Sequence, residues 1–150
     1  EKYKHELIGR NSRLDTFQAS ILDIKLERLD INNLKRRRNA ILYHKLLKDV
    51  NEIELPCIET GCIPVYHLFI IRCSKRDELK EHLETNNIQT GIHYPNSIPE
   101  LSCYEDLFDK SKFEKAIDNS NKILSLPMYP NLPEEDIRFV CDKIINYYIM

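Results

Sequence analysis

A long amphipathic segment near the start of the chain constrains the fold more than any other feature. Apolar side chains recur at helical spacing over residues 12–49, and Ser12 followed by Asp15 fits a capping box at its start. In the first half they form two stripes: Phe17, Ile21 and Ile24, and Leu22, Leu26 and Leu29. A straight helix of this length would span about 55 Å, well beyond the radius of gyration of about 15 Å for such a domain. Either the helix bends near Asn32 and Asn33, or its first half projects and packs on something outside this chain. The prediction adopted is one long helix, covered on two sides, that bends near Asn32 and Asn33.

The rest of the chain alternates short strands and helices. Residues 65–72 are rich in β-branched and aromatic side chains on both faces, which is typical of a central strand. Pro127 removes a ladder donor, so residues 124–128 are expected to form an edge strand. Further strands are predicted at 53–55 and 88–94, helices at 74–85 and 133–148, and helical turns around 101–108 and 112–123.

These elements predict the α+β class: a two-layer domain with a long N-terminal helix and a small, largely antiparallel sheet covered by helices. Residues 1–150 are expected to be one domain. Within it, residues 1–50 form the long helical region and residues 51–150 the α+β unit.

Composition excludes several classes of function. The chain has three glycines in 150 residues, where average usage would give about ten. Neither GxGxxG nor GxxxxGK[ST] occurs, so nucleotide binding by a glycine-rich phosphate loop is excluded. A net charge of −2 predicts no nucleic-acid or anionic-membrane partner. No apolar run approaches the length of a membrane span. Five cysteines without a secreted framework favour the cytoplasm. The chain starts at Glu1 without a targeting sequence, as an excised or processed piece would.

Two clusters have simple structural explanations. The basic run at residues 35–38 is interpreted as a solvated helix face and not as a phosphate-binding patch, because Glu27, Asp30 and Asp49 lie close by and charge runs often occur on exposed helices. Cys57, Cys62, His67 and Cys73 lack the spacing of a zinc site. His67 and Cys73 would lie about 20 Å apart along one strand, too far for one ion to join. No metal is expected.

Two other segments are candidate binding sites. Asn11 and Arg13 precede a helix start, where free backbone N–H groups favour an anion, although Asn11 or Ser12 could equally act as a simple helix cap. His93 and Tyr94 are predicted to end a strand before Pro95, a common place for site residues. A satisfied pair at a strand end is the alternative for these two residues.

Taken together with several further motifs, these segments make the chain resemble the C-terminal part of the PLP-dependent sugar aminotransferases of the DegT/StrS type. The order and spacing of the motifs are specific, although each alone is weak. The motifs are Gly9-x-Asn11-x-Arg13-Leu14-Asp15 with Gln18-Ala19, Lys25-Leu26, Arg37-Arg38, Leu55-Pro56, Tyr66-His67-Leu68-Phe69, Arg76-Asp77-Glu78-Leu79, Ile88-Gln89-Thr90-Gly91-Ile92-His93-Tyr94-Pro95 and Leu124-Ser125-Leu126-Pro127-Met128-Tyr129-Pro130.

The resemblance implies a fold-type I homodimer that transfers an amino group from glutamate to a nucleotide-linked keto sugar, with PLP as cofactor. Such enzymes serve the synthesis of cell-surface polysaccharides or of secondary-metabolite sugars. By this resemblance Asn11 reaches the PLP phosphate of the neighbouring subunit and Arg13 supports it. His93 and Tyr94 lie near the nucleotide-sugar site. The long helix would link the cofactor domain to the small domain.

Three departures from the family pattern limit this expectation. No lysine of this chain matches the one that holds the cofactor, so the chain alone is expected to supply no catalytic residue, to bind no PLP and to be inactive. Ser20 replaces the second alanine after Gln18-Ala19, and no histidine follows in residues 96–101. The alternative hypothesis is a non-catalytic binding module that keeps the small-domain fold.

Overall fold

The computed structural model describes residues 5–104 and 106–149. In this part of the chain, helices α1 to α5 comprise Thr16–Leu26, Leu29–Leu47, Arg76–Thr85, Glu114–Lys122 and Glu134–Ile149. Strands β1 to β3 comprise Ile53–Glu54, Phe69–Cys73 and Ile123–Leu126. Short 3-10 turns lie at Ile98–Glu100, Ser102–Tyr104 and Lys110–Phe113. The predicted α+β class, with a small antiparallel sheet and helices around it, is confirmed.

The sheet has the order β1-β2-β3, and both pairs are antiparallel. Strand β2 is central and β3 lies at an edge, as predicted. Phe69 pairs with Leu126 and Ile71 with Leu124, which sets the register between β2 and β3. Alternate side chains of β2 therefore point into one core, because successive residues of a strand face opposite sides.

Two strand predictions were wrong, one in where the strand begins and one in that no strand forms. Strand β2 begins at Phe69 and not at residue 65, because Tyr66 has a φ of 48°, which interrupts an extended backbone. Residues 88–94 form no strand: only Gly91 pairs, in an isolated antiparallel bridge to Ser125. The segment enters from a turn at Asn87, whose φ is 60°, and the Ile88 N–H bonds back to the Leu83 carbonyl.

The long N-terminal helix is also corrected, since it is two helices. Helix α1 begins at Thr16 with Asp15 as its cap, whose carboxylate accepts the Gln18 N–H at 2.8 Å. The break lies at Glu27 and Arg28, not at Asn32 and Asn33. Arg28 leaves helical geometry, with φ −108° and ψ 8°, and its N–H bonds to the Lys25 carbonyl three residues back. No glycine or proline marks this break in the sequence.

The core lies where α2, α3 and α5 pack on one face of the sheet. Tyr43 of α2 stacks on Phe69 of β2 with ring centroids 4.8 Å apart, and both side chains are fully buried. The Tyr43 hydroxyl donates to the Pro127 carbonyl at 2.9 Å, just after β3 ends. The other fully buried large side chains are Leu47, Ile71, Leu79, Leu83, Leu124, Ile137, Cys141 and Ile144.

Helix α1 contributes nothing to this core. None of its residues is buried, and Phe17 is 76% exposed. The two apolar stripes predicted to be covered are therefore open within the described part of the chain.

Candidate functional site

His93 is held against the outer edge of the sheet. Its Nδ1 lies 2.9 Å from the hydroxyl oxygen of Ser125, which is 4% exposed. The backbones of Gly91 and Ser125 exchange two hydrogen bonds of 3.0 and 2.7 Å, which bring the two segments together. The prediction that His93 and Tyr94 end a strand is wrong, but the imidazole still contacts a strand, because Ser125 belongs to β3.

Gly91 leaves the space that this imidazole occupies. A Cβ atom at position 91 would lie 2.7 Å from Cε1 and 3.3 Å from Nδ1 of His93. Real Cβ atoms essentially never approach a neighbour to within 3.0 Å. Any larger residue at position 91 would therefore displace the ring.

Tyr94 lies beside His93 and borders an uncharged cavity. The two rings meet edge to face with centroids 5.7 Å apart, and Tyr94 is 61% exposed. The cavity is about 580 Å³ and is lined mainly by apolar side chains, among them Ile98, Phe108 and Phe113. None of the described residues that line it carries a charge. Such a lining suits the neutral part of a ligand.

Asn11 and Arg13 lie in an exposed segment before α1. Neither Asn11 nor Ser12 caps the helix, because Asp15 does; the simple capping explanation is therefore wrong. Within the described part of the chain the side chains of Asn11 and Arg13 make no hydrogen bond or ion pair. Their amide and guanidinium donors are available to an external acceptor. No hydrogen bond or ion pair joins them to His93.

The basic run departs from its predicted role as a solvated face. Lys35 and Arg38 are exposed, and Lys35 donates to the Asn131 side chain at 2.8 Å. Arg36 and Arg37 are half-buried, and the Nε atom of each is buried without a hydrogen-bond partner in the described chain. Sequence alone did not separate these two from their neighbours, because all four lie in one run on α2.

His44 of α2 is also half-buried. Its ring packs edge-on against the ring of Phe69, with the ring centroids 5.3 Å apart. Its Nε2 atom is buried and has no hydrogen-bond partner among the described residues. Burial lowers the pKa of the imidazole below its usual value near 6.5.

This burial makes stability depend on pH. Because the folded-state pKa of His44 is below the unfolded value, protonation favours the unfolded chain. We expect the His44 contribution to be constant above about pH 7 and to fall as pH drops through about 6.5 towards the lowered folded pKa. Urea denaturation of wild type and His44→Gln at a series of pH values measures this. The wild-type curve should fall more steeply below about pH 7; parallel curves would contradict the assignment.

The thiols form no disulfide, and all five cysteines are free. Burial raises the pKa of the Cys141 thiol to about 12, which keeps it protonated near neutral pH. Across residues 5–104 and 106–149, no group of three or more His, Cys, Asp or Glu side chains could hold a metal ion. No helix among these residues is both long and apolar enough to span a bilayer.

Comparison with known proteins identifies the family. The model of the DegT/DnrJ/EryC1/StrS aminotransferase family matches residues 1–145. This chain belongs to that family. The family match covers nearly the whole chain, including the Asn11 segment and the His93 segment.

Two relatives of this aminotransferase-family chain come from Streptomyces venezuelae, one compared by sequence and one by structure. The chain is 36% identical over 145 residues to "dTDP-3-amino-3,4,6-trideoxy-alpha-D-glucose transaminase" of Streptomyces venezuelae, covering 96% of the chain and 38% of that protein. The structure of S. venezuelae DesV in complex with a ketimine intermediate superposes with a TM-score of 0.85 at 35% identity, covering 98% of this chain and 40% of that one.

A third relative is "Erythromycin biosynthesis sensory transduction protein EryC1" of Saccharopolyspora erythraea. It is 40% identical over 136 residues, which is 90% of the chain and 37% of that protein. The chain thus spans about 40% of the length of the curated relatives it matches. The aminotransferases of this DegT/DnrJ/EryC1/StrS family are in general PLP-dependent.

Sequence reasoning missed two residues of the site, Ser125 and Gly91, as partners of His93. A signal for Ser125 was present: it is a small hydroxyl residue within the otherwise apolar strand Ile123–Leu126. The close approach of Gly91 to the ring had no signal, since it depends on how the segment folds back on β3.

Proposed function

We propose that this chain is the C-terminal domain of a PLP-dependent aminotransferase that moves an amino group from glutamate to a nucleotide-linked keto sugar. The observation that carries the proposal is the family match over residues 1–145. The similarity to a dTDP-amino-sugar transaminase at 36% identity supports the substrate class. The whole protein would be a cytoplasmic homodimer in the biosynthesis of polysaccharide or secondary-metabolite sugars.

The donor set before α1 fits the phosphate of PLP. Asn11 offers amide N–H groups and Arg13 a guanidinium, and both are exposed and without a partner in the described chain. These donors match phosphate oxygens, which accept several hydrogen bonds and favour a planar guanidinium. Asn11 would hold the phosphate in the neighbouring subunit, and Arg13 would support it.

PLP supplies the electron sink on which an amino group is exchanged for a carbonyl oxygen. No lysine of this chain is assigned to hold the cofactor, so the catalytic lysine belongs to another part of the proposed protein. The task of this chain is binding: Asn11 and Arg13 orient the phosphate, and His93 and Tyr94 face the sugar substrate.

The surroundings of His93 and Tyr94 support a role in substrate binding. The imidazole and the phenol both form hydrogen bonds at neutral pH, which suits sugar hydroxyl and phosphate oxygens. The neighbouring uncharged cavity beside Tyr94 would take a neutral portion of the nucleotide sugar.

The two half-reactions of transamination separate this role from cofactor binding. In the complete protein, His93→Ala is expected to slow the reaction with nucleotide-linked keto sugar, through a KM raised by about two- to ten-fold, the value of one neutral hydrogen bond. The reaction with glutamate should be unchanged. Single-turnover absorbance of the cofactor measures both halves. His67→Ala, which removes an exposed histidine that forms no hydrogen bond in the described chain, is the control. Equal slowing of both half-reactions would contradict a role in sugar binding.

A further inference from the structure

The surroundings of His93 determine which of its nitrogens carries the proton. Ser125 is 4% exposed, and the only hydrogen-bond partner of its hydroxyl in the described chain is Nδ1 of His93, at 2.9 Å. If Nδ1 carried the hydrogen, the hydroxyl hydrogen of Ser125 would be buried without an acceptor there. If Ser125 donates to Nδ1, this hydrogen is used, and buried donors are nearly always satisfied.

Gly91 fixes the position of the same ring. The three heavy atoms nearest to a Cβ built at position 91 are Cε1, Nδ1 and Nε2 of His93, at 2.7, 3.3 and 3.6 Å. The backbone at Gly91 is not in the left-handed region, so alanine there would cause no backbone strain. Its Cβ atom would clash only with the imidazole of His93. An imidazole is the end of a rotatable side chain. Alanine would therefore turn the ring away from Ser125 at small cost to the fold.

We propose that Gly91 and Ser125 are positioning residues that hold His93 as the neutral tautomer with the proton on Nε2. Ser125 donates to Nδ1, and Gly91 makes room for the ring to reach it. Nε2 has no hydrogen-bond partner in the described chain, so its N–H is the polar group that His93 offers to a ligand. Such a donor recognises an acceptor oxygen of the substrate, a hydroxyl, carbonyl or phosphate oxygen. The tautomer stands on the contacts alone, whereas the substrate contact rests on the proposed function.

The tautomer is measured by two-bond ¹H–¹⁵N correlation spectra of the ¹⁵N-histidine-labelled protein at about pH 8, where histidine is ordinarily neutral. We expect the His93 signals of a protonated Nε2 and an unprotonated Nδ1. A predominantly protonated Nδ1 would overturn the proposal.

Substitutions at position 125 separate the effect of the hydroxyl hydrogen bond from the effect of side-chain size. Thr and Val have the same shape, so Ser125→Thr and Ser125→Val crowd the strand equally, and only threonine keeps a donor. We expect Ser125→Thr to retain the His93 spectrum and Ser125→Val to move both nitrogen shifts towards a mixture of tautomers. The same spectrum for the two variants would contradict the role of the hydroxyl.

Gly91→Ala tests the position of the ring. We expect the His93 signals to lose the Ser125-bonded pattern, while the melting temperature falls by only about 2–4 °C, the effect of one lost hydrogen bond in a chain of this size. Unchanged His93 signals would show that the ring does not need the space at Gly91, and would overturn this part of the proposal.

Kinetics of the complete protein link the positioning to substrate binding. Gly91→Ala should raise the KM for the nucleotide-linked keto sugar by about two- to ten-fold, and the same change in a His93→Ala background should have no further effect. Additive effects in this double-mutant cycle would contradict positioning through His93. If the spectra change as expected but no variant alters the sugar half-reaction, the tautomer assignment stands and the proposed function of His93 fails.

Discussion

Replacing Asn11 by alanine in the complete protein is expected to weaken the binding of PLP by about ten- to a hundred-fold, the value of one hydrogen bond to a charged group. Asn11 is exposed before α1 and has no partner in the described chain, so the substitution breaks no contact of the fold seen here. Titration of the cofactor-free protein with PLP, followed by absorbance, gives the affinity.

The neighbouring Ser12 provides the control for this experiment. It is also exposed, and it does not cap α1, since Asp15 does. Ser12→Ala should therefore leave PLP affinity and melting temperature unchanged. An Asn11→Ala protein that binds PLP as tightly as wild type would contradict the contact proposed between the amide and the phosphate.

Replacing Phe69 by alanine is expected to lower the free energy of unfolding by about 3–5 kcal/mol, the usual cost of removing a buried aromatic ring. Phe69 is fully buried on the central strand, where it stacks on Tyr43 and meets His44 edge-on. The substitution leaves a cavity between α2 and β2. Urea denaturation of this chain measures the loss.

Ile70 is the matched control on the same strand. Its side chain faces the opposite side of the sheet and is only half-buried. Ile70→Ala should cost clearly less than Phe69→Ala, about 1 kcal/mol, because less apolar area leaves water on folding. Equal losses for the two variants would mean that the core does not lie on the Phe69 side of the sheet.

The sequence predicted the sheet well where the pattern was strong. The apolar run around Phe69 indicated a central strand, because such side chains pack against the elements around a sheet. Pro127 indicated an edge strand, because proline has no N–H to donate to the hydrogen-bond ladder. The boundaries were less certain. The left-handed backbone at Tyr66 shortens β2, and no residue type in that region signals it.

In the helical region, the sequence predicted helix correctly but not where the helix breaks or which residue caps it. Hydrophobic periodicity detects helix but not a break such as the one at Arg28, where no glycine or proline is present. Capping was also ambiguous, since Asn11, Ser12 and Asp15 are all good cap residues and only the folded chain shows that Asp15 takes the role.

The candidate site was partly predictable for a similar reason. His93 and Tyr94 were recognisable from their motif, but the partners that fix the imidazole come from 32 residues away in the sequence and from a backbone bridge. Contacts of this kind depend on how segments fold together, so the contact between Ser125 and His93 became visible only in the structure.

The most direct test of the central claim follows the cofactor through both halves of the reaction in the complete protein. Glutamate should convert bound PLP to the pyridoxamine form, with loss of the visible absorbance, and a nucleotide-linked keto sugar should restore it. The same sugar without its nucleotide should restore it far more slowly. A protein that binds no PLP, or whose cofactor does not respond to glutamate and the nucleotide-linked sugar, would contradict the assignment of this chain to a sugar aminotransferase.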